Sequence, residues 1–232
     1  MFLSIYNSEK IVRFKIINKV GGVNVGMEKR TAEFIGIMLG DGSIGVYNTK
    51  AGNKVKKHRV IKVTLDSRNK QYTKYVSNLM KEVLNVEPRL YFHKKENAVD
   101  IGTFRKDALD YILNEIGLKM SPKWNRMEIP KKFMKEKFYP HVLRGLFDTD
   151  GSVTIFNNNG TVYPRIEIKI CPSPAQKQFI EIIKELGFRF KVQKLDKGEI
   201  RIRVSGKNEL KKWFDIVGSS NQAYIKRAKQ FL

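Results

Sequence analysis

Two carboxylates occupy matching places in this chain, and their surroundings make them candidates for chemistry. Asp41 closes the run Phe34-Ile35-Gly36-Ile37-Met38-Leu39-Gly40-Asp41-Gly42-Ser43, and Asp150 closes Leu143-Arg144-Gly145-Leu146-Phe147-Asp148-Thr149-Asp150-Gly151-Ser152. In each, an apolar helix-compatible stretch runs into Asp-Gly-Ser. The Gly suits a left-handed C-terminal cap, so each Asp is expected at or just past a helix C-terminus. The macrodipole is negative there, which makes it a poor place for a carboxylate. One such Asp is an ordinary turn after a buried helix. Two at matching positions call for something strongly cationic, and a divalent metal is the obvious candidate. Gly36 and Gly40 lie four apart on one helix face, with Gly145 and Thr149 in the matching places. Small residues on one face let two helices approach closely. Packed around a pseudo-two-fold axis, the helices bring Asp41 and Asp150 together as a hard oxygen site suited to Mg²⁺. Such a site can activate water and stabilise the leaving oxygen of a phosphodiester.

The elements that must position these residues are also written twice. Arg59–Val63 parallels Arg165–Lys169 as a β-rich run, and amphipathic helical patterns follow at Asn69–Leu84 and Pro174–Leu186. Arg89–Phe92 then parallels Arg189–Val192, and Ala98–Thr103 parallels Glu199–Val204. Final helices are expected around Arg105–Ile116 and Lys207–Val217. Each half reads helix–strand–strand–helix–strand–strand–helix, an α+β unit whose connections are too short for parallel crossovers. The boundaries that follow are an N-terminal extension 1–30, a first half 31–120, a linker 121–137 containing Pro122 and Pro130, and a second half 138–232. Within the extension, Gly21-Gly22 reads as a turn, and Ile11–Val20 as either an extra strand or a DNA-contacting arm.

Composition narrows the partner. With 232 residues, 41% hydrophobic and 11% aromatic, the chain is expected to pack a core. Its 45 Lys+Arg against 23 Asp+Glu give a net charge of +22, which fits a polyanion such as nucleic acid. Charge alone does not separate DNA chemistry from ribosomal-type RNA binding. A membrane role is not expected, since no apolar run approaches the ~20 residues that span a bilayer, and the opening MFLSIYNSEK lacks a secretory pattern. The single Cys171 excludes an intramolecular disulfide and a cysteine zinc site. It fits a reducing intracellular setting, cytoplasm, nucleoid or organelle matrix. His58, His93 and His141 lack metal-ligand spacing.

With both motifs in view, the chain resembles the LAGLIDADG homing endonucleases of the monomeric, two-motif kind. Leu143–Gly151 (LRGLFDTDG) matches the motif that names the family, and Phe34–Gly42 (FIGIMLGDG) is similar to variants ending in Gly-Asp-Gly. The resemblance covers about residue 31 to the C-terminus. It implies two pseudo-symmetric αββαββα halves whose antiparallel sheets form a saddle over double-stranded DNA. It also implies a metal site of Asp41 and Asp150 with the residues preceding them, Gly40 and Thr149. Mg²⁺ is the implied ion, with Mn²⁺ or Ca²⁺ able to take its place. The implied reaction is double-strand cleavage across the minor groove, leaving short 3′ overhangs. No intein splice-junction pattern is evident, so an intron-borne, free-standing enzyme is expected. Asp148, whose counterpart is Leu39, is expected to cap or pair within its half rather than catalyse. The family's auxiliary Lys or Gln near the end of the second strand falls around Leu65-Asp66 and Ile170-Cys171, neither obviously basic; Lys62 and Lys169 are nearby.

Strand alternation names the residues expected to meet DNA. Arg201 and Arg203 alternate with Ile200, Ile202 and Val204, and Arg165, Glu167 and Lys169 alternate with Ile166, Ile168 and Ile170. Arg189 and Lys191 belong with them, and Arg59, Lys62, Arg89, Tyr91 and His93 are the candidates in the first half. Arg can pair bidentately with guanine, although most protein–DNA hydrogen bonds go to phosphate and sugar. Matched places carry different residues, so a long asymmetric target is expected. Two other functions fit the same scaffold: an RNA-binding intron maturase with intron RNA as partner, and a non-catalytic DNA-binding regulator.

Overall fold

The computed structural model describes residues 25–51 and 54–232. The segment carrying Gly21-Gly22 and Ile11–Val20 lies outside the described residues. At the centre are two helices, α1 (Val25–Leu39) and α4 (Tyr139–Asp150). Each leads directly into a four-stranded antiparallel sheet. The first contains β1 (Gly42–Ala51), β2 (Lys54–Asp66), β3 (Arg89–Phe92) and β4 (Ala98–Thr103), in the order β1-β2-β4-β3. The second contains β5 (Gly151–Asn158), β6 (Thr161–Ile170), β7 (Phe190–Lys194) and β8 (Ile200–Ser205), in the matching order β5-β6-β8-β7. One face of each sheet is covered by helices: α2 (Lys70–Leu84) and α3 (Lys106–Asp110) with its π-helical continuation to Ile116, and α5 (Ala175–Glu185) and α6 (Lys207–Ile216). This is the α+β fold of two αββαββα halves that the repeat predicts.

The covering helices form because their apolar residues fall at helical spacing. Tyr72, Val76, Leu79, Met80 and Val83 of α2 are buried, as are Phe179, Ile182 and Ile183 of α5. Asn69 caps α2, accepting a hydrogen bond from the Tyr72 amide at 3.3 Å, and Asn85 closes it in the left-handed region at φ 50°. In the second half Trp213 is fully buried against Phe147 and Phe188, with ring centroids 5.1 and 5.2 Å apart.

Three features depart from the sequence expectation. Segment 121–137, read as a polar linker, carries apolar side chains into the core: Met127, Ile129 and Phe133 are buried. It is pinned to both halves, the Ser121 amide donating to the Ile44 carbonyl at 2.8 Å and the Ala175 amide to the Met127 carbonyl at 3.0 Å. A further helix, α7 (Gln222–Ala228), follows α6 and has no counterpart among the described residues of the first half. Finally, Gly42 and Gly151 are not left-handed caps. Gly151 is extended, at φ −95° and ψ 175°, and neither is among the positive-φ glycines. A Cβ at Gly42 would collide with the backbone of Met38, and one at Gly151 with that of Phe147. Glycine is needed there because the strand turns back tightly against the helix that precedes it.

Candidate metal centre

The two motif helices meet through their glycines. A Cβ on Gly36 would lie 2.8 Å from the Leu146 amide and 2.9 Å from the Gly145 Cα. Reciprocally, one on Gly145 would lie 2.7 Å from the Ile37 amide and 2.9 Å from the Gly36 Cα. Such mutual contact is what a pseudo-two-fold axis between the helices produces. One turn further on, Gly40 lies against Thr149, and a Cβ there would be 3.5 Å from Asp150 Oδ2. The small-residue faces therefore bring the helix ends together, and with them Asp41 and Asp150.

Electrostatics reports the same proximity. Burial and then the neighbouring Asp41 raise the Asp150 carboxyl, which Lys123 and Lys169 hold to about 6, although Asp150 keeps solvent on its outer side. Burial also raises Asp41. The offsetting charge comes from the segment between the halves. Lys123 Nζ donates to the carbonyl oxygens of Leu39, at 3.0 Å, and Gly40. Burial lowers the Lys123 ammonium, and Asp150 and Asp41 hold it up. One ammonium among two carboxylates leaves a net negative charge. Together with the Gly40 carbonyl the carboxylates make a hard oxygen donor set, which fits a divalent cation. Among the described residues no third His, Cys, Asp or Glu joins them. A cleft of about 470 Å³ opens beside this group, bordered by Gly40, Ser43, Lys123, Trp124, Asp150 and Cys171.

Thr149 differs from Gly40 in its surroundings. Its hydroxyl donates back to the carbonyls of Gly145 and Leu146, both at 3.0 Å, which holds the side chain against its own helix. Asp148 faces away from Asp150 into the protein. It accepts from the Ser219 hydroxyl at 2.5 Å and the Ser220 amide at 2.7 Å, while the Asn221 side chain donates to its carbonyl at 3.2 Å. Tyr224 of α7 donates to the Gly151 carbonyl at 2.6 Å. The C-terminal segment thus fixes the end of α4 from behind. Glu33, buried in α1, ties the same region together by accepting from Arg144 at 2.6 Å, Tyr75 at 2.6 Å and Ser220 at 2.7 Å. Sequence reasoning missed Lys123, Glu33 and the 219–224 segment. The signal for Lys123 was indirect: neither motif helix carries a basic residue in its last turn.

The predicted DNA-facing residues divide according to strand register. In the second sheet Ser152, Glu167 and Arg203 lie side by side, as do Lys169 and Arg201, all on the face opposite buried Ile166, Ile168 and Ile202. Lys191 pairs with Arg203 on that same face. Glu167 organises it, accepting from Arg203 Nε at 2.7 Å and from Arg165 at 3.4 Å, and the Arg165 guanidinium stacks 3.7 Å from the Phe156 ring. Lys169 pairs with Glu199 at 2.7 Å. Arg189 is tied to Glu209 of α6 at 2.8 Å. In the first sheet Lys62, Arg89 and Tyr91 share the uncovered face with Asp100, which accepts from Lys62 at 2.7 Å and lies 3.3 Å from His93 Nε2. Arg59 does not share it. It pairs with Val46 and has the parity of buried Ile61 and Val63. Ser43 pairs with Lys62 where Ser152 pairs with Glu167, so the residue matching Arg165 is Val60. The sequence alignment of Arg59 with Arg165 was one residue out, and a one-residue slip moves a side chain to the other face.

The chain matches the family model described as the LAGLIDADG DNA endonuclease family over residues 33–211. Comparison with curated protein sequences gives no match. Among solved structures it is similar to the homing endonuclease I-DmoI, at a TM-score of 0.58 and 17% identity, covering 83% of this chain and 97% of that one. It is similar also to the LAGLIDADG homing endonuclease I-LtrWI bound to target DNA, at 0.59 and 14%, covering 88% and 89%. A third is I-GzeII in complex with its DNA target, at 0.59 and 12%, covering 87% and 88%.

Proposed function

This chain belongs to the LAGLIDADG DNA endonuclease family, and we propose that it cuts both strands of one long asymmetric DNA site with a divalent metal held between Asp41 and Asp150. The observation that carries this reading is the reciprocal Gly36–Gly145 contact, which brings two mutually repelling carboxylates together at adjoining helix ends. Asp41, Asp150 and the Gly40 carbonyl would hold the ion. When bound it would polarise a water for attack on the phosphorus and stabilise the leaving oxygen. I-DmoI has been solved in complex with DNA and Mn, with DNA and Ca, and, as a variant, with its target DNA and Mg, which supports a divalent ion here.

The chain's own groups have separate tasks. Glycine contacts fix the spacing of the two carboxylates. Glu33, Asp148 and the 219–224 segment keep the helix ends from rotating. The uncovered sheet faces, with Lys62, Arg89 and Tyr91 on one and Arg165, Arg201 and Arg203 on the other, would bind and orient the duplex. Cleavage on the minor-groove side, with short 3′ overhangs and action as a monomer, completes the proposal.

A randomised duplex library, incubated with the protein and Mg²⁺ and sequenced at its cut ends, tests it. One asymmetric consensus with paired breaks is expected. Asp41→Asn and Asp150→Asn should each slow cutting by more than about 100-fold, since losing even an outer-shell partner of a metal costs up to that much. Cleavage that survives both changes removes the assignment.

A further inference from the structure

Lys123 belongs to neither motif, yet it reaches the point where the motifs meet. Its segment is anchored on both sides, at Ser121 to β1 and at Asn125 and Met127 to the second half. Its ammonium sits on the Leu39 and Gly40 carbonyls at the C-terminus of α1, where a cation is favoured by the dipole. The carbonyls at the end of α4 are satisfied differently, Phe147 by the Gly151 amide and Asp148 by Asn221. Among the described residues the cation is therefore placed on one helix end only, and on the carbonyl that belongs to the donor set described above.

We propose that Lys123 is a resident counter-cation of the cleavage centre, which holds the Gly40 carbonyl and the carboxylate pair in place without metal and is displaced when a divalent ion binds. The inference rests on the reading of Asp41 and Asp150 as a metal site. A site whose competent form is only fractionally populated binds its ligand more weakly by that fraction. Removing the internal competitor should therefore tighten metal binding, whereas a lysine that merely braces the site should, on removal, loosen it.

The experiment is Mn²⁺ titration of the DNA-free protein, followed by the electron paramagnetic resonance of the free ion. Lys123→Met and Lys123→Gln, the latter keeping a donor for the carbonyls, should bind Mn²⁺ about tenfold more tightly than wild type, a change of about 1.4 kcal/mol. Lys169→Met removes a nearby charge that touches no carbonyl of the site and should give a much smaller gain. Equal or weaker binding in both Lys123 variants overturns the proposal, as does an equal gain in Lys169→Met. If the variants are unfolded in chelator, Mn²⁺ should restore their fold. Failure of saturating Mn²⁺ to do so also overturns it. Absence of Mn²⁺ binding in every protein overturns the metal-site reading itself.

Discussion

Asp148 and Asp150 lie two residues apart and are raised alike by burial, yet they should respond oppositely to amidation. A carboxyl whose folded value lies above its unfolded one supports the fold fully below the unfolded value and loses that support as pH rises through the folded value. For Asp150 the window runs from about 4, the ordinary carboxylate value, to about 6. Ionised Asp150 therefore costs stability at pH 8 when no metal is present. In chelator, Asp150→Asn should melt above wild type at pH 8, with the gap closing as pH falls towards 4. Saturating Mn²⁺ should reverse the order. Circular-dichroism melts check this, and a variant less stable at pH 8 in chelator refutes it. Asp148, raised to about 7, has the same sign of pH dependence, but both its oxygens already accept hydrogen bonds. An amide there sets a donor against a donor, so Asp148→Asn should lose about 1–3 kcal/mol, the cost of an unsatisfied buried partner.

At the scale of elements, the helix pair rather than either sheet sets the carboxylate spacing. Gly36→Ala or Gly145→Ala drives a methyl into the partner's backbone, which cannot move like a side chain. Each should cost about 3 kcal/mol or more, at or beyond the usual range for overpacking. Gly45 in β1 is the control, because its added Cβ meets only Val60 at 3.6 Å, and Gly45→Ala should be nearly neutral. Urea unfolding at constant m measures both. These helices were legible in the sequence because the same apolar run ends twice in Asp-Gly, and the alternation of β8 was legible because its Ile and Arg residues keep strict period two. The register of β2 was not, since Val60 and Ile61 are adjacent apolar residues and the sequence alone does not say which of them shares a face with Arg59. Lys123 was hidden for another reason. It lies on an irregular segment whose path depends on contacts with β1 and α5, and no local periodicity encodes those. Helix α7 is short, with Ala228 as its buried residue, so its amphipathic signal is weak.

For the molecule as a whole, duplication has preserved the scaffold while letting the two reading faces diverge. Lys62 stands where the second half has Glu167, Asp100 where it has Arg201, and Gly102 where it has Arg203. The second face is therefore rich in guanidinium groups held by one carboxylate, whereas the first sets a carboxylate among Lys62, Thr64 and His93. Faces so different are expected to prefer different half-sites. The net charge of +22 attracts any duplex and reads no sequence. These two contributions separate experimentally. Arg203→Ala should relax base preference in one half of the target by about 1–3 kcal/mol, the worth of a good bidentate pair, and leave the other half's preference intact. Substituting a lysine that contacts only phosphate should weaken binding to every sequence alike and reduce the salt slope by about 1. Binding to a half-site-randomised library at two salt concentrations distinguishes them. If Arg203→Ala lowers affinity uniformly, its guanidinium serves the backbone. The discrimination in that half must then come from the Arg165 and Arg201 side of the sheet.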